Sequence, residues 1–130
     1  MTCSVTSNPG DAALAIKQGG VVILPTEGVY GLSCSLYEED AVKRIIAIKE
    51  RSSDKGLIAV DSALDRVSAL FDRHKLTKEA QLLMEKNWPG PYTLVVPVKE
   101  GFDSIALRAN HSLALRITAF DTLSRICTLA

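Results

Sequence analysis

Several absences narrow what this chain can be. Basic and acidic residues cancel at 15 each, so no global charge marks a nucleic-acid or membrane partner, and any basic surface must come from local segregation. The three cysteines, Cys3, Cys34 and Cys127, are an odd, scattered set without a Cys-x-x-Cys pair. They argue against a disulfide framework and a zinc site, and for a reducing compartment. The two histidines, His74 and His111, have no partners at metal spacing and read as surface positions. No charged segment followed by an apolar one opens the chain, and no apolar run approaches the ~20 residues of a membrane helix, so a cytoplasmic protein is expected. There is no Gly-x-x-x-x-Gly-Lys phosphate loop, no Gly-x-Gly-x-x-Gly dinucleotide fingerprint and no Gly-x-Ser-x-Gly elbow. Internal repeats and low-complexity tracts are also missing.

What is present is globular. At 130 residues, 47% hydrophobic and 23% charged, the chain fits a single domain spanning 1–130. Asn8-Pro9 reads as a helix start ending at Gly19-Gly20. Val21 to Leu24 is a short apolar, β-branched run stopped by Pro25, whose missing N–H ends a ladder. The loop Thr26-Glu27-Gly28 leads to a helical pattern from Asp40 to Glu50, then a second apolar run, Leu57 to Val60. This βαβ order predicts two parallel strands. Ligands in such sheets gather beyond the carboxyl ends of strands, which makes Thr26, Glu27, Tyr30, Lys49, Arg51 and Lys55 the candidate cluster. Downstream, Asp61-Ser62 should cap a helix with Leu64, Val67, Ala69, Leu70 and Phe71 buried. Thr77 should cap another running through Ala80, Leu83 and Met84 to Asn87. Trp88-Pro89-Gly90-Pro91 is a rigid turn. Tyr92–Val98, Ile105–Arg108 and Leu113–Thr118 read as strands. Asp121-Thr122 opens a last helix with Leu123, Ile126 and Cys127 on its apolar face.

Taken singly, each motif has a plain explanation. Lys49 and Arg51 at a helix end complement its dipole and commonly face solvent; the sharper reading aims two cations at phosphates, with Lys55 as a third. Pro25-Thr26-Glu27-Gly28 could be only a turn, or a hydroxyl and amides presented to a small polar ligand. Cys34 lacks the positive surroundings of a reactive thiolate.

Together they point further. Pro25-Thr26-Glu27-Gly28-Val29-Tyr30-Gly31 resembles the Pro-Thr-Glu-(Thr/Ala)-Val-(Tyr/Phe)-Gly signature of the YrdC/TsaC family of threonylcarbamoyl-AMP synthases. Lys49-Glu50-Arg51 with Lys55-Gly56-Leu57-Ile58 is similar to its Lys-x-Arg element and following strand. Pro89-Gly90-Pro91-Tyr92-Thr93 matches its Pro-Gly-Pro-x-Thr element, and Leu115-Arg116-Ile117 its arginine strand. The departures are Gly28, Ser52 after Arg51, and Ala119-Phe120 in place of Asp-His-Pro. The resemblance implies an α/β fold with a twisted mixed, largely parallel sheet flanked by helices. It also implies condensation of L-threonine, bicarbonate or CO2 and ATP to threonylcarbamoyl-AMP and pyrophosphate, for threonylcarbamoyladenosine in tRNA. On that resemblance Lys49 and Arg51 are the catalytic cations, and ATP falls to them and Arg116, with Arg108 the weaker substitute. Thr26, Tyr30, Lys55 and Thr93 take L-threonine, Mg²⁺ accompanies ATP, and no protein metal ligand is assigned.

The family's later Ser-Thr-Ser-Ala-Asn element is absent, and the helical pattern runs to Ala130 without a stop signal. The expectation is therefore an incomplete domain, roughly the first two-thirds of a synthase, with impaired activity. Two alternatives stand beside the enzyme. One is a double-stranded RNA or tRNA-binding module with a ribosome-maturation role, using the Lys43-to-Lys55 basic cluster. The other is a fragment that self-associates through uncovered apolar surface.

Overall fold

The computed structural model describes residues 3–50, 55–71 and 75–130. Arg51, Ser52 and His74 lie outside the described residues. Helix α1 (Pro9–Lys17) begins where the Asn8 side chain accepts from the Gly10 N–H, with proline in the first turn. It ends at Gly19, whose φ of +81° is the left-handed stop that glycine adopts without strain. Strands β1 (Val22–Leu24) and β2 (Gly31–Ser33) pair antiparallel as a hairpin around the 25–30 loop. Helix α2 (Glu39–Lys49) buries Ala41, Val42 and Ile45, and closes at Glu50 in a left-handed conformation. Strand β3 (Ile58–Asp61) then leads to the short α3 (Leu64–Val67), continued as a 3-10 turn over Ser68–Leu70. Helix α4 (Lys78–Asn87) is capped by Thr77, whose hydroxyl accepts from the Ala80 N–H. Strands β4 (Leu94–Pro97) and β5 (Ser112–Ile117) and helix α5 (Asp121–Leu129) complete the chain.

The second sheet has the order β3-β5-β4, with β3 parallel and β4 antiparallel to β5. The class is α/β with a mixed sheet, and among the described residues parallel pairing is confined to β3–β5. The expected parallel partnership of the first and second apolar runs is not formed. Val22–Leu24 instead takes Gly31–Ser33, across a loop turned by the Thr26 hydroxyl, which donates to the Val29 carbonyl and accepts from the Gly28 N–H. The partner of β3 comes from 56 residues later, in β5. Ile105–Arg108, expected as a strand, is a run of turns. There Leu107 N–H donates to Ser104, His111 N–H to Arg108, and Leu57 N–H to the Ala106 carbonyl. Leu64, at 40% exposure, and Ala69 are also exposed where a buried side was expected.

Two cores divide the apolar residues. The larger gathers Leu70, Phe71, Met84, Trp88, Val96, Leu113, Leu115 and Ile117 between one sheet face and helices α3 and α4. Trp88 opens the predicted rigid turn, its indole donating to the Tyr92 carbonyl at 2.8 Å. The smaller joins Ala13 and Ile16 of α1, Leu24 of β1, and Leu123 and Ile126 of α5. The period-2 alternation of β5 sends Leu113, Leu115 and Ile117 into the larger core and Ala114 and Arg116 to the opposite face. That alternation aims the one cation of the central strand at the seam between the cores.

Candidate functional site

A cavity of about 590 Å³ occupies that seam. It is walled by β2 and the residues after it, by α2, by β3, and by the Arg116 face of β5, with α1 and α5 closing one end. Its apolar lining includes Leu24, Val42, Ile45, Leu115 and Ile126, and among the described residues four cations reach it: Lys17, Lys49, Arg66 and Arg116.

Arg116 pairs with Val60 across the parallel ladder, which fixes its backbone. Its side chain is 17% exposed and its Nε stands 3.9 Å from Oε1 of Glu27, itself 18% exposed. Neither atom has a hydrogen-bond partner among the described residues. The other Glu27 oxygen accepts from the Thr118 hydroxyl at 2.9 Å, and that hydroxyl accepts from the Phe120 N–H at 3.0 Å. Thr118 is 1% exposed, so this support is held inside the protein.

Thr26 lines the cavity from the loop after β1. Its hydroxyl donates to the Val29 carbonyl at 2.7 Å and accepts from the Gly28 N–H at 3.2 Å, which builds the local turn. Lys49 reaches the cavity as the last residue of α2, where the helix dipole favours a cation. Thr26, Lys49 and Arg116 thus share one hollow. Tyr30 is 70% exposed and does not line it. Lys55 is exposed just before β3, and Thr93 is exposed one step beyond the Leu94–Leu115 pair, beside Arg116 but outside the lining. Arg108 is exposed on the turn before β5 and does not contribute. Arg51 is not described.

Sequence reasoning missed Lys17, Asp61 and Arg66 as lining residues. Asp61 ends β3, and one of its oxygens takes Arg66 Nη2 at 2.7 Å, Nε at 2.9 Å and the Ser62 N–H at 2.6 Å. This charge-assisted fork holds the Arg66 proton above its ordinary range. The only signal was the acid expected to cap the next helix: Asp61 does receive the Ser62 and Ala63 amides, but its charge is spent on Arg66. Neither cavity cysteine is a ready nucleophile. Burial pushes the Cys34 thiol up, and burial followed by the Asp61 charge pushes Cys127 up to about 11.

The arrangement suits an anionic ligand with apolar parts: separated cations around a half-apolar hollow, against the lining carboxylates of Glu38 and Asp61, the second held by Arg66. The Sua5/YciO/YrdC family model, described as telomere recombination, matches residues 14–130. A threonylcarbamoyl-AMP synthase from Methylococcus capsulatus is 38% identical over 116 residues, covering 89% of this chain and 61% of the relative. One from Vibrio vulnificus is 34% identical over 124 residues, covering 95% and 67%. The chain thus spans between three-fifths and two-thirds of the relatives it matches. Among solved structures, P. abyssi Sua5 complexed with L-threonine superposes with a TM-score of 0.81 at 32% identity, over 93% of this chain and 35% of that one. E. coli YciO, at 20% identity over 93% of this chain and 58% of its own, has a TM-score of 0.80 and speaks to the fold. Motif order, sheet topology and these likenesses agree: the chain belongs to the Sua5/YciO/YrdC family.

Proposed function

We propose that this chain carries the nucleotide and amino-acid site of a threonylcarbamoyl-AMP synthase. The reaction joins L-threonine, bicarbonate or CO2, and ATP. A carbamate oxygen of carboxylated threonine attacks the α-phosphorus, an O–P bond forms, the bond to the bridging oxygen breaks, and pyrophosphate leaves. Threonylcarbamoyl-AMP then serves tRNA threonylcarbamoyladenosine formation. The observation that carries this reading is the meeting of Thr26, Lys49 and Arg116 at one cavity.

Little covalent work falls to the protein in such a step. Fixed cations offset charge that builds on phosphoryl oxygens, and the walls hold the reactants in line. Lys49, with Arg51 close by in sequence, would face the phosphates, and Arg116 the nucleotide. Thr26 would define the threonine end by stiffening its loop as much as by direct contact, since its hydroxyl hydrogen is already used. P. abyssi Sua5 is described in complex with L-threonine, which supports the assignment of that ligand. Tyr30, Lys55 and Thr93 keep their proposed place near threonine only if the ligand draws their loops inward. Magnesium would arrive on ATP, neutralising phosphate charge, as a cation bound mainly through substrate phosphates with at most one or two carboxylates. For the RNA-binding alternative the described residues offer exposed Lys43 and Arg44 on α2, but no net charge.

The test is pyrophosphate release from ATP, which should require both L-threonine and bicarbonate. Lys49→Ala and Arg116→Ala should each lower it by about tenfold to a hundredfold, the scale of losing a charged contact to the transition state. Release that ignores threonine or bicarbonate, or that survives both substitutions, would refute the assignment.

A further inference from the structure

One charged group at the seam has no part in the chemistry above. Glu27 is on the loop after β1, 91 residues in sequence from Thr118, yet their side chains are hydrogen-bonded. Its carboxylate reaches from the hairpin loop to Thr118 and Arg116 at the end of β5. One oxygen is fixed by the Thr118 hydroxyl, and that hydroxyl is fixed in turn by the Phe120 amide. The other oxygen faces Arg116 Nε across 3.9 Å, both atoms buried and unpaired. Nearly all buried polar atoms find partners, so this gap marks a pair left short of contact. The guanidinium can close it by a shift of about an ångström, which brings the pair to ordinary charge-assisted hydrogen-bond length.

We propose that Glu27 is a positioning residue. It holds the Arg116 guanidinium in the orientation that meets the nucleotide, and it ties the Thr26 loop to β5, so that the two ends of the pocket are set together. The inference deepens the reading given under Proposed function and rests on it. It has a clear rival. Glu27 carries negative charge beside a site for a polyanion, and if it did nothing but neutralise Arg116, its removal would strengthen ATP binding. The two roles therefore predict opposite signs.

The experiment is calorimetric titration of the chain with ATP and magnesium, for wild type, Glu27→Gln, Glu27→Asp, Arg116→Ala and the double variant Glu27→Gln/Arg116→Ala. Glutamine removes the charge and turns an amide toward Arg116. Aspartate keeps the charge but draws it back by one methylene. Positioning requires both to weaken ATP binding, by about tenfold, a tenfold change being about 1.4 kcal/mol. It also requires Glu27→Gln to add nothing once Arg116 is gone, since residues acting through one another are non-additive. Thr118→Val, close in shape and lacking only the hydroxyl, should weaken binding by a smaller factor in the same direction. Circular dichroism melts keep loss of fold apart from loss of orientation. Wild-type or tighter ATP binding in folded Glu27→Gln or Glu27→Asp overturns the proposal while leaving the site intact. So do effects that add in the double variant. Unchanged binding in Arg116→Ala overturns the reading of the site itself, and this inference with it.

Discussion

The two walls of the cavity are built to different standards. On one side β5 is flanked by strands on both edges, and Leu113 and Leu115 are fully buried, at 0% exposure. On the other, β1 and β2 are three residues each, pair only with one another among the described residues, and leave Ile23 64% exposed. A two-stranded ribbon is marginal alone in water. This one persists because Leu24 packs with Ile16 of α1 and with Leu123 and Ile126 of α5. Arg116 rides on the stiff wall, and Thr26 and Glu27 on the light one. A site assembled from both has its cation on a fully flanked strand and its hydroxyl on the loop of a lightly packed hairpin.

The contrast can be broken experimentally. The largest effect should come from Leu115→Ala in the stiff wall, costing about 2–5 kcal/mol by lost burial and a residual cavity. Urea unfolding measures it, and a loss below about 1 kcal/mol would mean that β5 is not the keystone. Gly56→Ala comes next. Gly56 has φ +67°, and a Cβ there would sit 2.8 Å from the Ala106 carbonyl oxygen, a backbone atom with little room to retreat. A left-handed alanine plus that clash should cost about 1–3 kcal/mol and loosen the join between β3 and the turns before β5.

Cys127 sharpens the comparison from the α5 side. With its thiol pushed up to about 11 from 9.0, its thiolate fraction near pH 8 should be about a hundredfold below that of an ordinary cysteine. Iodoacetamide should therefore label exposed Cys3 first and Cys127 only slowly. Equal rates would show that α5 lifts away readily. The sign for stability follows: burial favours the neutral thiol, so its contribution is whole below pH 9 and is lost as pH rises toward 11. The smallest effects belong to the exposed positions. Ile23→Ala and removal of the solvent-facing Arg125–Asp121 pair, 65% and 82% exposed, should each stay within about 0.5 kcal/mol. A cost for Ile23→Ala that matched Leu115→Ala would erase the distinction between the walls.

Much of the fold was written locally. The Asn8 and Thr77 caps, the Gly19 stop, the turn after Trp88, the helix ending at Lys49 and the apolar side of α5 all follow from neighbours within four residues. The errors came in strand pairing. Val22–Leu24 has the composition of a buried parallel strand, but the Thr26 turn sends the chain back so that it pairs with Gly31–Ser33. Ile105–Arg108 has strand composition too, but its backbone groups are used in turns and in the bond to Leu57.

The site divides the same way. Thr26, Lys49 and Arg116 could be named in advance because residue type and motif order carry their chemistry. Lys17, Asp61 and Arg66 could not, since nothing nearby in sequence brings them to the same hollow. What the sequence by itself determined was the kind of element at most positions and the family's set of cations and hydroxyls, because caps, breakers and periodicity act over a turn or two. Only the tertiary structure decided which strand pairs with which, and that Glu27 meets Arg116. Those contacts depend on burying two separate cores against one sheet, and their energy is shared among residues far apart in the chain.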